Sequence, residues 1–282
     1  MLDVTKLNTF LEAELPGALE FLRQMVGINS FTLNPSGVNR LARVTTEQFA
    51  SLGFTAEYVD SAFPNYGQHL VLTRRGSGNQ SIAMISHLDT VFSPEEEERN
   101  QFHWSVEGDR IYGPGTHDIK GGTMMMWLVL KTLQKHAPEV FERITWKLFW
   151  NSSEETFSPD FGTVCAQRFE PNTLAALVFE AEGRLGDERL MVLARKGRAT
   201  WRVTVTGRGS HAGGKHSHGA NAAVQLGVLL PKIAAITDYS RELTVNVGTI
   251  TGGTVLNRVP HEAVAEGELR AFDSATYKSG VE

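Results

Sequence analysis

A mostly parallel α/β sheet followed by a smaller α+β domain is the fold this sequence predicts, and three observations predict it. Short apolar runs alternate with longer segments of helical periodicity, the order that builds a parallel sheet flanked by helices. Past about residue 195 the texture changes to longer half-buried strands around one helix. At 282 residues the chain also exceeds the usual single-core size. Two domains are therefore expected, over 1–194 and 195–282.

The elements follow in order. Leu7, Phe10, Leu11, Leu15, Leu19, Leu22 and Met25 recur at helical spacing, and Pro16 is expected to break that run into two helices. A further helix is expected over 39–52, stopped by Gly53. Strands are expected at 55–59, 69–74 and 81–86, then a helix over 121–136 that ends before Pro138, then strands at 144–150 and 174–179. The charge run from Glu95 to Glu98 reads as the solvated start of a helix. In the second domain 198–206 alternates as a strand, 219–236 is helical, and 243–250 and 263–272 are strands. That β-α-β-β order covers one sheet face with helix.

Composition narrows the partners. With 41% hydrophobic and 21% charged residues the chain reads as an ordinary soluble protein, and a net charge of −5 gives no reason to expect nucleic acid or anionic lipid. The most membrane-like stretch, Met124 to Leu130, is far short of the ~20 apolar residues a span needs. The one cysteine, Cys165, rules out an internal disulfide and a cysteine-based zinc cluster, and suits a reducing compartment. Met1 to Gly27 shows no basic segment leading into an apolar one, so no secretory leader and a cytoplasmic location are expected.

The chemistry lies at strand ends. The run Ile82–Ile85 leads into Ser86-His87-Leu88-Asp89, Ile144–Trp150 into Asn151-Ser-Ser-Glu154-Glu155, and Leu174–Phe179 into Glu180. In an open α/β sheet the carboxyl ends of the strands line the ligand crevice. Acidic and imidazole groups gathered there would repel one another unless a cation held them, so a hydrolytic metal site is expected. Asp89, two residues after His87, shares its face of the strand and can accept the second imidazole N–H. Asp118, in the glycine-punctuated turn Gly113-Pro-Gly-Thr-His-Asp118-Ile-Lys-Gly-Gly122, has two oxygens and can bridge two cations. Glu154 and Glu155 are adjacent, and the simplest division makes one a ligand and the other the base that takes a proton from the attacking water. Glu180 is preferred over Glu182 because it directly follows the strand. Gly113-x-Gly115 is not read as a dinucleotide loop, since the third glycine of that pattern is an aspartate. No Gly-x-Ser-x-Gly elbow offers a nucleophilic serine.

Five segments occur together: Ser86-His-Leu-Asp-Thr-Val91, Tyr112 to Gly122, Ser153-Glu-Glu155, Phe179-Glu180 and Gly209-Ser-His-Ala-Gly213. In that order they resemble the M20 family of dinuclear zinc metallopeptidases, in particular its glutamate carboxypeptidase branch. The resemblance implies a catalytic domain with an inserted ferredoxin-like lid, and hydrolysis of an amide next to a free carboxylate. It implies that His87, Asp118 and Glu180 hold one zinc and that Asp118 bridges to a second, which Glu155 also ligates. Glu154 would be the general base and Asp89 the group orienting His87. A cis peptide is implied after Asp118, although Ile119 stands where many members carry an acidic residue. His211 would polarise the scissile carbonyl across a homodimer formed by the lid. Asn257 would lie in the same lid pocket, and Arg270 would pair with the substrate carboxylate through two parallel donors.

In the family a last zinc-binding histidine follows the lid, whereas this sequence ends at Glu282. A C-terminally truncated member, incomplete in both domains and short of a ligand at its second metal, is therefore expected. Cobalt or manganese also suits a carboxylate-rich site. The motifs leave three functions open: a carboxypeptidase acting on small peptides, an N-acyl-amino-acid deacylase, and a non-catalytic remnant that binds metal or a partner chain.

Overall fold

The computed structural model describes residues 3–156, 158–181, 183–186 and 188–282. Glu182, weighed above against Glu180, lies outside them. The chain divides into two compact units, Met1–Gly183 and Arg184–Glu282.

The first unit opens with α1 (Val4–Val26) and α2 (Pro35–Ala50). Strands β1 (Thr55–Val59), β2 (His69–Arg74) and β3 (Ser81–His87) follow, then α3 (Pro94–Asn100) and the hairpin of β4 (Ser105–Glu107) with β5 (Arg110–Tyr112). After these come α4 (Lys120–His136), α5 (Pro138–Arg143), β6 (Thr145–Asn151), α6 (Pro159–Ala166) and β7 (Thr173–Val178). The sheet order is β1-β2-β6-β3-β7. Strands β6, β3 and β7 are parallel, β2 runs antiparallel to β6, and β1 runs antiparallel to β2. The sheet is thus mostly parallel, with β2 alone reversed.

Period-two alternation builds the two faces of the core. Leu70, Leu72, Met84, Leu148 and Trp150 point to one face, where they pack with Phe21, Met25, Leu41, Phe49, Met126 and Leu130 of the helices. Val71, Ala83 and Phe149 point to the other and meet Phe161, Val164 and Cys165 of α6. All of β6 is buried, while β7, which pairs only with β3 among the described strands, leaves Leu174, Leu177 and Val178 exposed.

Pro16 does not break α1. It sits on the exposed side of one continuous helix, whose two halves both dock on α4. Phe10 meets His136 edge to face and Glu14 pairs with Lys131, while Phe21 packs on Trp127. That packing outweighs the lost main-chain hydrogen bond. Helix α2 starts four residues earlier than expected because Asn34 caps it, accepting from Gly37 N–H at 3.2 Å, with Pro35 in the first helical position.

The short pair β8 (Gly183–Leu185) and β9 (Glu188–Leu190) starts at the last residue of the first unit and leads into the second. Strand β10 (Gly197–Thr206), helix α7 (Ala222–Ala234), β11 (Thr244–Gly252), β12 (Glu262–Ala271) and helix α8 (Ser274–Val281) follow. Its sheet is antiparallel in the order β10-β12-β11, with Ala222 and Leu226 of α7 buried against Ala263 and Ala265.

Candidate metal centre

Three parallel strands end side by side and bring the expected residues to one edge. β3 ends at His87, β6 runs into Ser152-Ser153-Glu154-Glu155, and β7 is followed by Phe179 and Glu180. Main-chain bonds carry the ladder past the strands, from Leu88 N–H to Asn151 O at 2.8 Å and from Phe179 N–H to Ile85 O at 2.8 Å. The fourth contributor is the glycine turn ahead of α4, which includes a cis peptide between Asp118 and Ile119. Gly115 adopts φ 77°, and a Cβ there would lie 3.0 Å from the buried Lys120 side chain and 3.1 Å from Thr90, so only glycine lets the turn close this tightly. Lys120 donates to Ile28 O at 3.0 Å, and desolvation brings its ammonium down to about 8.

The His87 ring is buried. Its Nε2 lies 3.0 Å from Asp118 Oδ1 and 3.8 Å from Glu180 Oε2, and ligand atoms of the three residues all lie within 4.8 Å of one another. A tetrahedral zinc with ligands at about 2.1 Å would hold neighbouring donors about 3.4 Å apart. One imidazole nitrogen and two carboxylate oxygens at these separations fit such an ion. The electrostatics agree. Desolvation alone would lower the His87 pKa, but Asp118, Asp89 and Glu154 overcome it and raise it to about 10. His87 in turn pulls the Asp118 carboxyl below its usual range. Glu155 is pushed up to about 7, first by desolvation and then by the charge of Asp118, with His87 opposing. Glu154 is raised by partial desolvation first and then by the charges of Glu180, Asp89 and Asp118, with His87 opposing. The carboxylates of this cluster outnumber its one imidazolium, and a divalent cation would supply the missing positive charge.

The role of Asp89 is broader than its spacing implied. His87 Nδ1 lies nearer the Asp89 main-chain oxygen, at 3.0 Å, than its carboxylate, at 3.4 Å. The buried carboxylate instead accepts from Glu154 N–H at 2.9 Å, Glu155 N–H at 3.1 Å and the Thr32 hydroxyl at 2.7 Å. One anion therefore orders the two glutamates at once. Thr32 carried no sequence signal, since it lies in a loop 57 residues from its partner.

In the second unit His211 and Asn257 stand close in the chain's pairing. His211 bridges Arg258, and Ala212 N–H donates to Asn257 O at 2.9 Å. His211 Nδ1 accepts from Gly213 N–H at 3.2 Å and Gly214 N–H at 3.1 Å, so the ring proton sits on Nε2, a donor exposed to solvent. Arg270 is not gathered with them. It lies near the other end of β12, about 26 Å along the strand from Glu262 at ~3.3 Å per residue. Glu268, two residues earlier on the same face, holds its guanidinium with bonds of 2.8 and 3.1 Å. A strand position alone could not reveal that competing carboxylate.

Comparison with known proteins gives this geometry its context. The Peptidase family M20/M25/M40 matches residues 83–192, and the Peptidase dimerisation domain of that family matches 193–281. Carboxypeptidase G2 of Pseudomonas sp. (strain RS-16) is 30% identical over 257 residues, which are 91% of this chain and 60% of that protein. The chain thus spans less than two thirds of that relative's length. Acetylornithine deacetylase of Erwinia tasmaniensis is 24% identical, covering 88% of this chain and 66% of its own. Aminopeptidase PepT of Bacillus cereus shares the fold at TM-score 0.71 and 22% identity, covering 94% of this chain and 68% of that one. No helix among the described residues is long and apolar enough to cross a membrane. With the M20 peptidase and dimerisation domains matched end to end over residues 83–281, and His87, Asp118 and Glu180 gathered within the first, the chain belongs to the M20 peptidase family.

Proposed function

We propose that this chain carries the centre of a metal-dependent hydrolase that cleaves an amide next to a free carboxylate, as a glutamate carboxypeptidase does. The observation that carries the reading is the closeness of His87, Asp118 and Glu180, with Glu154 and Glu155 pinned beside them by one buried carboxylate. His87, Asp118 and Glu180 would hold one cation, and Asp118 with Glu155 would serve a second. Zinc suits this nitrogen and oxygen donor set, and cobalt or manganese can replace it. Such an ion supplies charge that polarises the amide carbonyl and makes water more acidic.

The chain's own groups do the rest. Glu154, with its raised proton affinity, takes a proton from water and returns it to the leaving amine. Across a homodimer formed by the second unit, the Nε2–H of His211 would donate to the carbonyl oxygen as charge develops there, with Asn257 in the same pocket. Arg270, released from Glu268, pairs with the substrate carboxylate. The catalytic part runs to about residue 194, and the remainder supports a homodimer.

A second reading, an N-acyl-amino-acid deacylase, is favoured by the likeness to acetylornithine deacetylase. Metal content after dialysis, followed by release of glutamate from a C-terminal glutamyl peptide and of acetate from an N-acetyl amino acid, tests both. Chelator-sensitive glutamate release supports the first reading, and acetate release alone supports the second. Bound metal without hydrolysis of either substrate would reduce the chain to a metal-binding remnant.

A further inference from the structure

We propose that His69, oriented by Asp160, is a positioning residue that sets where the turn after β6 presents Glu154 and Glu155. The proposal rests on the functional reading above. Asp89 holds that turn from inside by the N–H groups of Glu154 and Glu155. From the other side it is held by His69, the first residue of β2, which is fully buried. Ser152 N–H donates to His69 Nδ1 at 3.1 Å, and the Ser152 hydroxyl lies at the same distance. A main-chain N–H can only donate, so Nδ1 is the acceptor and the ring proton sits on Nε2. Nε2 then donates to Asp160 Oδ2 at 3.1 Å.

Asp160 is fixed in turn by Ala62 N–H at 2.7 Å and the Ser61 hydroxyl at 3.2 Å. Phe161 packs against the imidazole at 5.2 Å between ring centres. The segment entering α6 completes the bracket. The Ser158 hydroxyl donates to Asn151 Oδ1 at 2.9 Å, and that oxygen also accepts Ser153 N–H at 3.1 Å. Both nitrogens of a buried ring are thus spent on aiming one peptide of the turn. The adjoining carboxylates depend on that aim, because a shift of about 1 Å in a catalytic group can cost about 100-fold in rate.

The test compares His69→Ala, His69→Gln and Asp160→Asn in the full chain. Three readouts are amide hydrogen exchange, cobalt(II) affinity, and kcat against KM for the hydrolysed substrate. His69→Ala should speed exchange in residues 151–156 at least about tenfold while leaving residues 82–85 protected. It should also weaken cobalt binding by about 10- to 100-fold, the usual effect of losing a group that orients a ligand, and lower kcat rather than raise KM. His69→Gln, which keeps an acceptor and a donor, should recover most of each loss. Asp160→Asn, on a partly exposed residue, should show the same pattern more weakly even where His69→Ala fails to fold.

Unchanged exchange in the turn, or exchange rising equally in β2, β3 and β6, would overturn the proposal. Parent protein that binds no cobalt would defeat the functional reading instead. The exchange pattern would still decide what His69 holds.

Discussion

The turn after β6 and the loop around His211 each offer polar groups beyond a strand, yet they are built differently. Ser152 and Ser153 are fully buried, and two distant segments, at His69 and at Asp89 with Thr32 behind it, fix the turn through hydrogen bonds together with the nearby Ser158. His211 is exposed, and its ring is oriented by the N–H groups of Gly213 and Gly214, its own near neighbours. Arg270 is exposed too and is neutralised by Glu268. The difference teaches where geometry is set before any ligand arrives. The groups proposed as ligands and base in the first unit are organised in advance, whereas the groups of the second are displayed at the surface with local support only.

That contrast can be broken most directly at Asp89. In Asp89→Asn the amide NH₂ must face the main-chain N–H of Glu154 or of Glu155 in a buried site, donor against donor. We expect a loss of about 1–3 kcal/mol in stability and about 10- to 100-fold in cobalt affinity, read by urea unfolding and metal titration. A variant as stable and as tight-binding as the parent would erase the distinction between the two regions.

A smaller effect should appear at Asp160. Desolvation raises its carboxyl, but Ala62 N–H and His69 more than offset this and hold it at about 2, below the ordinary 3.8. The sign follows from linkage. The stabilisation is complete above the ordinary value and is lost as pH falls through about 2. Asp160→Asn should therefore unfold more easily than the parent at neutral pH, with the gap closing between pH 4 and 2. A gap independent of pH would show that the charge of Asp160 is not what matters. The smallest change belongs to Glu268→Gln, which releases the Arg270 guanidinium. It should leave the unfolding midpoint in place and lower KM for carboxylate-bearing substrates a few-fold, and a KM that does not move would detach Arg270 from substrate.

How much of this was legible in the chain depends on range. His87, Asp118, Glu154, Glu155 and Glu180 announced themselves because each is acidic or imidazole-bearing and close to a strand end or a glycine turn, a local signal. Thr32, His69, Ser152 and Asp160 gave none. Each is a single polar residue whose meaning comes from a partner tens of residues away, as with the 91 that separate His69 from Asp160. The continuity of α1 through Pro16 was hidden for the same reason, because its cause lies on α4. Helix α6 was missed because its eight residues contain too few turns for a period to show, and α8 is equally short.

The reversal of β2 carries a consequence for how such a centre can change. In a wholly parallel sheet every strand begins on the far side from the ligand, so only the loops leaving strands can reach it. By running against β6, β2 places Leu70 opposite Trp150 and delivers the segment before it, residues 60–68, to the end of the sheet where β6 finishes. A loop that would otherwise be remote meets the segment after β6, through Asp160 and Thr156. Its sequence carries no residue proposed to hold metal, so inheritance or engineering can vary it there, provided the Ser61 and Ala62 groups that hold Asp160 are kept.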